Sequence, residues 1–328
     1  MNMQAYARKE LTPDMEGRYY SPKMQWWCLH ADVQGAGKDY SFYLWPALGS
    51  IDEAWIASLH VGDQLINFTK LHLPLGSLQC GREGVDVRYG PQVLRGAYPT
   101  YEVHMEGNHE GPPTVLDLRF DAESDSFRAV PNIRGIDWNY IPRMRVTGRI
   151  AIEGQAATVE GHGYLERRRG RFWTPGVKMG VWESIPWASP EGLSIPLFYK
   201  VWRDDDTAQL LTLTFTVDGK NLVDYQDVDV QILETTRFPG FEDISYPMKV
   251  RVAASDANGK ADLLITRSPN RLKMRNYFEE PDRTSNAIGM YGPGRVKGTL
   301  SYKGRNYVVD APSYGSGLFF SRKAGAKA

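Results

Sequence analysis

Cysteine is nearly missing from this sequence, since Cys28 and Cys80 are the two present among 328 residues. Two thiols are too few for a disulfide scaffold or for a cysteine-ligated zinc site. Long apolar runs are missing too, because no stretch approaches the roughly 18 residues that a membrane span needs. Residues 1–14 lack the apolar segment of a signal peptide. We therefore expect a cytoplasmic protein without stable membrane insertion.

Neither sign of charge is in excess. Lysine and arginine together number 39, as do aspartate and glutamate, so the formal net charge is zero. Proteins that bind nucleic acids usually carry a basic excess or a basic stripe. We therefore expect no nucleic-acid partner.

Motifs for nucleotides, nucleophilic serines and metals are also missing. The glycine-rich run 289–294 does not fit the G-x-G-x-x-G spacing, and Pro293 removes an amide that a phosphate would need. The run Tyr314-Gly-Ser-Gly317 lacks the first glycine of G-x-S-x-G. The six histidines form no H-x-H or H-x-x-x-H pair, although His30 and His104 lie in predicted strands that could converge. We expect neither a cofactor nor a metal site.

Aromatic residues, glycine and proline are plentiful instead. Aromatics make up 12% of the chain, with 32 glycines and 20 prolines, and such segments broken by turn residues are typical of strands. The alternation over Leu210–Thr216 predicts a half-buried strand. Three hairpins are predicted: Met24–Val33 with Lys38–Trp45, Ser58–Val61 with Gln64–His72, and Arg145–Ile152 with Gln155–Glu166.

Two segments interrupt this pattern. Leu48–Ala57 predicts a short helix, with Ser50 as its N-cap and Glu53 completing a capping box. Residues 121–143, which contain two prolines and a glycine, predict a long irregular connection. Because short strands are many and helices few, the sequence predicts an all-β protein built from two antiparallel barrels or sandwiches.

Residues 159–187 carry the densest chemistry in the chain. On a strand, alternate side chains share a face, so one face would hold His162, Tyr164, Glu166 and Arg168, and the other Arg167 and Arg169. A glutamate beside arginine has two interpretations. It is either an ion-pair partner that ties strands together, or an acid that faces a ligand and whose pKa is set by burial and by the arginine. The sequence leaves both open for Glu166.

The run Gly161–Gly170, followed by Trp182–Trp187, resembles the signature of the two-domain lipocalin-like proteins. That family includes carotenoid hydratase (hydroxyneurosporene synthase) and its bacterial relatives. Glu166-Arg167 stands where the family has Asp-His, and Arg169 where it has a tryptophan. Upstream segments that also resemble the family are Trp26-Trp27, Tyr40–Tyr43, Tyr89–Pro91, Arg95-Gly96 and Tyr98–Tyr101.

The resemblance implies two lipocalin-like antiparallel β-barrel or sandwich domains packed side by side, residues 1–170 and 171–328, and leaves a homodimer open. It implies a cofactor-independent lyase, hydratase or isomerase that uses acid–base chemistry on a bulky hydrophobic aromatic or terpenoid small molecule. The expected catalytic residues are Glu166, Tyr164, Arg167 and Arg169. The expected substrate-binding residues are His162, Arg168, Trp173, Trp182, Glu183, Tyr101 and His104.

Two other classes of function remain open. A non-catalytic binding protein for an apolar metabolite would need only the barrel and its aromatic residues. A glycan-active protein would use Glu166 and Glu183 as paired carboxylates, with tryptophans that stack on sugars. A bell-shaped pH–rate profile would favour the enzyme, and tight binding without turnover would favour the binding protein.

Overall fold

The chain is described by a computed structural model, which covers residues 6–8, 13–18, 24–49, 52–129, 136–170, 177–202, 208–225, 227–238, 241–275 and 285–322. These residues form antiparallel strands and one short helix, α1 (Pro13–Glu16). The all-β prediction is confirmed. Among the described residues, no helix is long and apolar enough to cross a membrane.

Internal contacts divide the chain into two units. Unit 1 comprises Met1–Trp173 with Asp218–Leu222, and unit 2 comprises Thr174–Val217 with Val223–Ala328. The boundary predicted between residues 170 and 171 falls at the edge of segment 171–176, which lies outside the described residues. It stays a prediction.

Unit 1 is one curled antiparallel sheet. Its strands are β1 (Tyr6–Arg8), β2 (Met24–Gly35), β3 (Lys38–Leu48), β4 (Glu53–Val61), β5 (Gln64–Asn67), β6 (Lys70–Leu73), β7 (Gln79–Cys80), β8 (Val85–Tyr89), β9 (Gln92–Ala97), β10 (Thr100–Glu106), β11 (Thr114–Ala122), β12 (Phe127–Ala129), β13 (Ile136–Ile152) and β14 (Gln155–Gly170). Their main order is β5-β4-β3-β2-β14-β13-β11-β10-β9-β8-β7.

Unit 2 repeats this topology. Its strands are β15 (Val177–Ile185), β16 (Ile195–Trp202), β17 (Ala208–Phe215), β18 (Val223–Tyr225), β19 (Asp227–Phe238), β20 (Phe241–Asp256), β21 (Gly259–Arg267), β22 (Leu272–Arg275), β23 (Ser285–Tyr302) and β24 (Arg305–Arg322). Their main order is β18-β17-β16-β15-β24-β23-β21-β20-β19. In each unit the first long strand therefore pairs with the last strand, β2 with β14 and β15 with β24.

The three predicted hairpins are confirmed by the pairing of β2 with β3, β4 with β5 and β13 with β14. The predicted helix over Leu48–Ala57 is wrong. Glu53 begins β4, and its buried carboxylate accepts hydrogen bonds from the backbone amides of Gly76 at 3.0 Å and Leu78 at 2.7 Å. Tertiary pairing thus overrides the local capping pattern, and Ser50, its predicted N-cap, lies outside the described residues.

The irregular connection predicted over residues 121–143 is wrong where the structure describes it. β11 extends to Ala122, and β12 pairs with the first part of β13. The strand predicted over Leu210–Thr216 is present as β17, and those of its side chains that the structure describes, Leu213, Thr214 and Phe215, are buried on both faces. Thr214 is as buried as Leu213 and Phe215, because its hydroxyl donates to the carbonyl of Pro196 at 3.1 Å and is satisfied without water.

The central strands of unit 1 are buried on both faces. Along β2, one set of alternate residues enters the apolar core: Trp27, Leu29, Ala31 and Val33. The other set points to the opposite face and is also buried: Trp26, Cys28 and His30. We call the side of β13, β14, β2 and β3 that faces away from the apolar core the Glu166 face. Glu166 of β14 lies on it beside Cys28, its direct partner on β2.

A bulge in β13 decides which of its residues reach the Glu166 face. Between the pairs Ile141–Leu165 and Met144–Gly163, β13 has two residues where β14 has one. The extra residue reverses the alternation. Ile141 and Met144 both enter the core, while Tyr140 lies opposite Glu166 and Trp138 lies opposite Arg168.

We expect Gly148→Ala in β13 to lower the free energy of unfolding by about 1–3 kcal/mol, as overpacking usually does. A methyl group on Gly148 would lie 2.0 Å from the carbonyl oxygen of Asp117, which belongs to the paired strand. Urea denaturation measures the change. The neighbouring exposed variant Arg149→Ala should stay within about 0.5 kcal/mol, and equal effects of the two would contradict the steric account.

Candidate functional site

Glu166 lies at the centre of a buried hydrogen-bond network in unit 1. Its Oε2 accepts three hydrogen bonds, from the Tyr164 hydroxyl at 2.7 Å, Arg168 Nη2 at 3.0 Å and Trp138 Nε1 at 3.1 Å. Oε1 accepts a single long bond of 3.5 Å from Trp26 Nε1. The residue is 4% exposed. All four partners are donors, so they favour a carboxylate that only accepts.

Arg168 balances this charge and is held by two aromatic rings. Its guanidinium carbon lies 3.8 Å from the centre of the Trp138 ring and 5.7 Å from that of Trp26. A buried ion pair is stable only with good geometry and further hydrogen bonds, and stacking of a guanidinium on indole adds a cation–π attraction. The network is therefore a neutral, rigid pair enclosed by aromatic side chains.

Burial sets the protonation of the two neighbouring weak acids. It raises the pKa of the Tyr164 phenol well above its usual range, and the negative charge of Glu166 raises it further. Burial and the same charge also raise the pKa of the Cys28 thiol. Tyr164 consequently stays a hydrogen-bond donor at neutral pH, and Cys28 stays a neutral thiol rather than a nucleophile.

The network can accept a proton and stabilise negative charge. Among the described residues, the donor to Oε1 is Trp26 and its bond is long, so Oε1 keeps lone pairs that can accept a further hydrogen bond. Tyr164 spends its one hydrogen on Oε2, whereas Arg168 is a fixed cation with several N–H groups that can stabilise an oxyanion, which is often a large part of catalysis in a site that excludes water. The structure shows the ion pair of Glu166 with Arg168, and the interpretation of Glu166 as an acid that faces a ligand stays a prediction.

The predicted site residues of β14 lie on two opposite faces of the strand, as the alternation of side chains requires. Tyr164 and Arg168 join Glu166, whereas Arg167 and Arg169 lie on the opposite face. Arg169 pairs with Asp137, Nη2 to Oδ2, at 2.7 Å. The ring of His162 is half-buried, 3.6 Å from Glu123, and burial together with the charge of Arg143 lowers its pKa.

Arg167 and Tyr101 belong to a different cluster, which α1 closes. Arg167 Nη2 donates to the carbonyl of Gly17 at 2.6 Å, and the Tyr101 hydroxyl donates to Glu16. Burial lowers the pKa of Arg167 to about 10 and raises the pKa of Glu16. His104 lies elsewhere, partly exposed on β10 with Nδ1 2.6 Å from Asp117. Trp173 lies outside the described residues.

Unit 2 has its own buried carboxylate. Glu183 shares a strand face with Val181 and Ile185, which are core residues, so it projects into the apolar core. Arg267 Nη2 donates to its Oε2 at 2.7 Å and the Ser313 hydroxyl to its Oε1 at 2.7 Å. Trp182, on the alternate side of the same strand, is buried as well.

The glycine-rich runs of unit 2 make room for this network. A methyl group on Gly315 would lie 2.7 Å from Glu183 Oε2 and 3.1 Å from both Arg267 Nε and Arg271 Nη2. Arg271 donates to the carbonyls of Pro293 and Gly315. These glycines serve packing around buried charges, which the motif search did not anticipate. In the part of the chain that the structure describes, no group of histidine, cysteine and acidic residues could hold a metal.

The two tryptophans of the network were missed as site residues. Trp138 falls in the segment expected to be irregular, and only the β13 bulge places it opposite Arg168. Trp26 was noted in the tryptophan pair, but the sequence does not reveal that it pairs with Arg168 across β2 and β14. The available signal was the doublet of tryptophans at the start of a strand.

Solved structures share this fold. No family model and no curated protein matches the sequence. A provisionally named AttH from Nitrosomonas europaea has a TM-score of 0.70 at 15% identity, over 95% of this chain and 97% of that one. Kievitone hydratase from Nectria haematococca gives 0.64 at 12%, over 95% and 91%. CghA, solved with Sch210972, gives 0.60 at 11%, over 96% and 98%. The predicted two-domain, lipocalin-like all-β fold is confirmed.

We expect the free energy of unfolding of Glu16→Gln, relative to wild type, to increase as the pH rises above the ordinary pKa of a glutamate. The raised pKa of Glu16 means that the folded protein holds this proton more tightly than the unfolded chain. Wild type therefore loses this stabilisation as the pH rises through the raised pKa, and the glutamine does not. Urea midpoints across the range measure it.

Glu160→Gln is the control for that series, because Glu160 is exposed. Its difference from wild type should stay flat. A Glu16→Gln difference that is flat or falls with pH would contradict the buried-carboxyl account.

Proposed function

We propose that the chain belongs to the two-domain lipocalin-like family of carotenoid hydratase and acts as a cofactor-independent hydratase, lyase or isomerase. Its substrate would be a bulky hydrophobic aromatic or terpenoid small molecule. The observation that carries the proposal is the buried Glu166 carboxylate, held on Oε2 by Tyr164, Arg168 and Trp138 and lightly contacted on Oε1. A fold shared with kievitone hydratase supports it.

The chemistry follows from the donors around Glu166. A hydratase or lyase adds or removes a proton and a hydroxyl across a carbon–carbon bond, so it needs a fixed base and stabilisation of developing charge. Glu166 Oε1 would take the proton. Arg168 would stabilise an oxygen that becomes negative, and Tyr164 would keep Oε2 in place. Trp26 and Trp138 would form an apolar wall of the site for an aromatic or polyene skeleton.

The first assay is chosen from the fold neighbour. Kievitone is the compound to test first, followed by a panel of aromatic and terpenoid alkenes and alcohols, with mass spectrometry to detect the gain or loss of one water. The alternative, a non-catalytic binding protein for an apolar metabolite, is supported by the aromatic surface alone. It would be recognised by saturable binding with no change in ligand mass.

We expect Glu166→Gln to lose at least about a hundredfold in turnover, since general acid–base catalysis is worth roughly 10²–10⁴-fold. Glutamine keeps the shape but removes the proton acceptor. Substrate affinity, measured by quenching of tryptophan fluorescence, should change little. Turnover is measured per folded molecule, with thermal melting as the check on folding, because an unbalanced Arg168 also destabilises the fold.

Glu16→Gln is the matched control. Glu16 is also a buried carboxylate that accepts from a tyrosine hydroxyl, but it belongs to the cluster closed by α1. It should keep wild-type turnover per folded molecule. If Glu166→Gln melts at a lower temperature while its folded fraction keeps full turnover, Glu166 is only an ion-pair partner and the proposal is wrong.

A further inference from the structure

A second acid–base pair lies on the Glu166 face, one strand away from Tyr164. His30 is 1% exposed, and its Nε2 lies 2.9 Å from Asp32 Oδ2. His30 and Tyr164 are direct partners across β2 and β14. Direct partners on antiparallel strands have Cβ atoms about 4.5–5.5 Å apart on the same face. The histidine and the Tyr164–Glu166 pair therefore flank one small area.

The groups around His30 come from three strands. On β2 itself they are Cys28 and Asp32. On β14, Tyr164 pairs with His30 and His162 pairs with Asp32. On β3, Tyr43 pairs with His30 and Ser41 pairs with Asp32, and beyond them on β4 are Ser58 and His60. Asp32 is the acidic group beside His30, with its carboxylate at ion-pair distance from the imidazole, and a neighbouring carboxylate can orient a histidine ring for proton transfer.

We propose that His30, positioned by Asp32, is the second proton-transfer residue of this site and works opposite Glu166. The inference rests on the proposed function and narrows it to substrates with a double bond, or the corresponding alcohol, that spans the two pairs. Hydration needs two proton-transfer groups, one at each carbon. The Glu166 face supplies both, since His30 pairs with Tyr164 and is the diagonal neighbour of Glu166 across β2 and β14, a relation that places two residues about 7–8 Å apart.

In the proposed reaction, the two residues and one water account for every proton and bond that changes. In hydration, the oxygen of a water bonds to one carbon of the double bond, and Glu166 Oε1 takes the proton that this water releases. The π electrons form a C–H bond at the other carbon with a proton from the imidazolium of His30. Protonated Glu166 then returns its proton to His30 through solvent. In dehydration the two residues exchange roles, and water leaves.

His30→Gln and Asp32→Asn test the pair on whichever substrate wild type converts. We expect His30→Gln to lose about 10²–10⁴-fold in turnover. The kcat/KM pH profile should also lose one limb, because glutamine has no proton to exchange. Asp32→Asn should shift that limb while losing less turnover. A merely structural role would lower the melting temperature and leave the profile unchanged.

His72→Gln is the control, because His72 forms a similar pair with Asp52 at 2.8 Å outside this face. It should keep wild-type turnover and profile. If Glu166→Gln loses turnover while His30→Gln keeps both its rate and its profile, the proposed function stands and this inference is wrong. If both variants keep full turnover, both proposals are wrong.

A binding experiment tests the same residue independently of turnover. The probe is 2-naphthol, added to protein carrying ¹³C-labelled histidine. We expect saturating probe to shift the imidazole C2–H resonance of His30, assigned by its loss in His30→Gln, and to leave that of His72 in place. Binding that leaves His30 unmoved would overturn the inference. Absence of binding together with absence of any turnover would overturn both proposals.

Discussion

A carboxylate placed almost entirely out of water has to be matched by donors, and Glu166 obtains four of them from three neighbouring strands. Trp26 comes from β2, Trp138 from β13, and Tyr164 and Arg168 from β14 itself. A slip of β14 by one residue against its neighbours would turn Glu166 into the apolar core and turn Leu165 out of it. The charge of Glu166 therefore specifies the register of the central strands, and the same register brings His30 beside Tyr164.

The two units place their buried carboxylates on opposite sides of similar sheets. Glu166 alternates with Tyr164 and Arg168 and faces away from the core of unit 1. Glu183 alternates with Val181 and Ile185 and points into the core of unit 2, where Arg267 and Ser313 bind it. Both glutamates lie in aromatic segments of the sequence, but the residues that alternate with Glu166 are polar and those that alternate with Glu183 are apolar. That difference is why we propose proton transfer for Glu166 and a packing role for the network of Glu183.

Much of the fold could be predicted because the relevant signals are local. Alternating residues on either side of a turn, as in Arg145–Ile152 and Gln155–Glu166, define a hairpin before any long-range contact is known. The failures arise where long-range pairing decides. Glu53 begins a strand because backbone amides at residues 76 and 78 need its carboxylate, and no local pattern reveals a partner more than twenty residues away.

The residues of the site also divide into those that local alternation predicts and those that depend on long-range pairing. Tyr164, Glu166 and Arg168 could be grouped from alternation along one strand. Trp138 could not, because the β13 bulge that brings it to Arg168 reverses the alternation. Tyr101 and His104 were included as binding residues, yet Tyr101 bonds to Glu16 beneath α1 and His104 to Asp117 on the neighbouring strand. Residues that share a face across strands are found only when the register is known.

The most direct measurement is a crystal structure of the Glu166→Gln variant with an unreacted substrate bound. A general base must lie within about 3.2 Å of the proton-bearing atom, or reach it through one water. The account predicts that the reacting double bond, or the hydroxyl to be eliminated, lies over the Glu166 face within that reach of the side chain at position 166. A substrate bound elsewhere, with the network of Glu166 intact and out of reach, would contradict it.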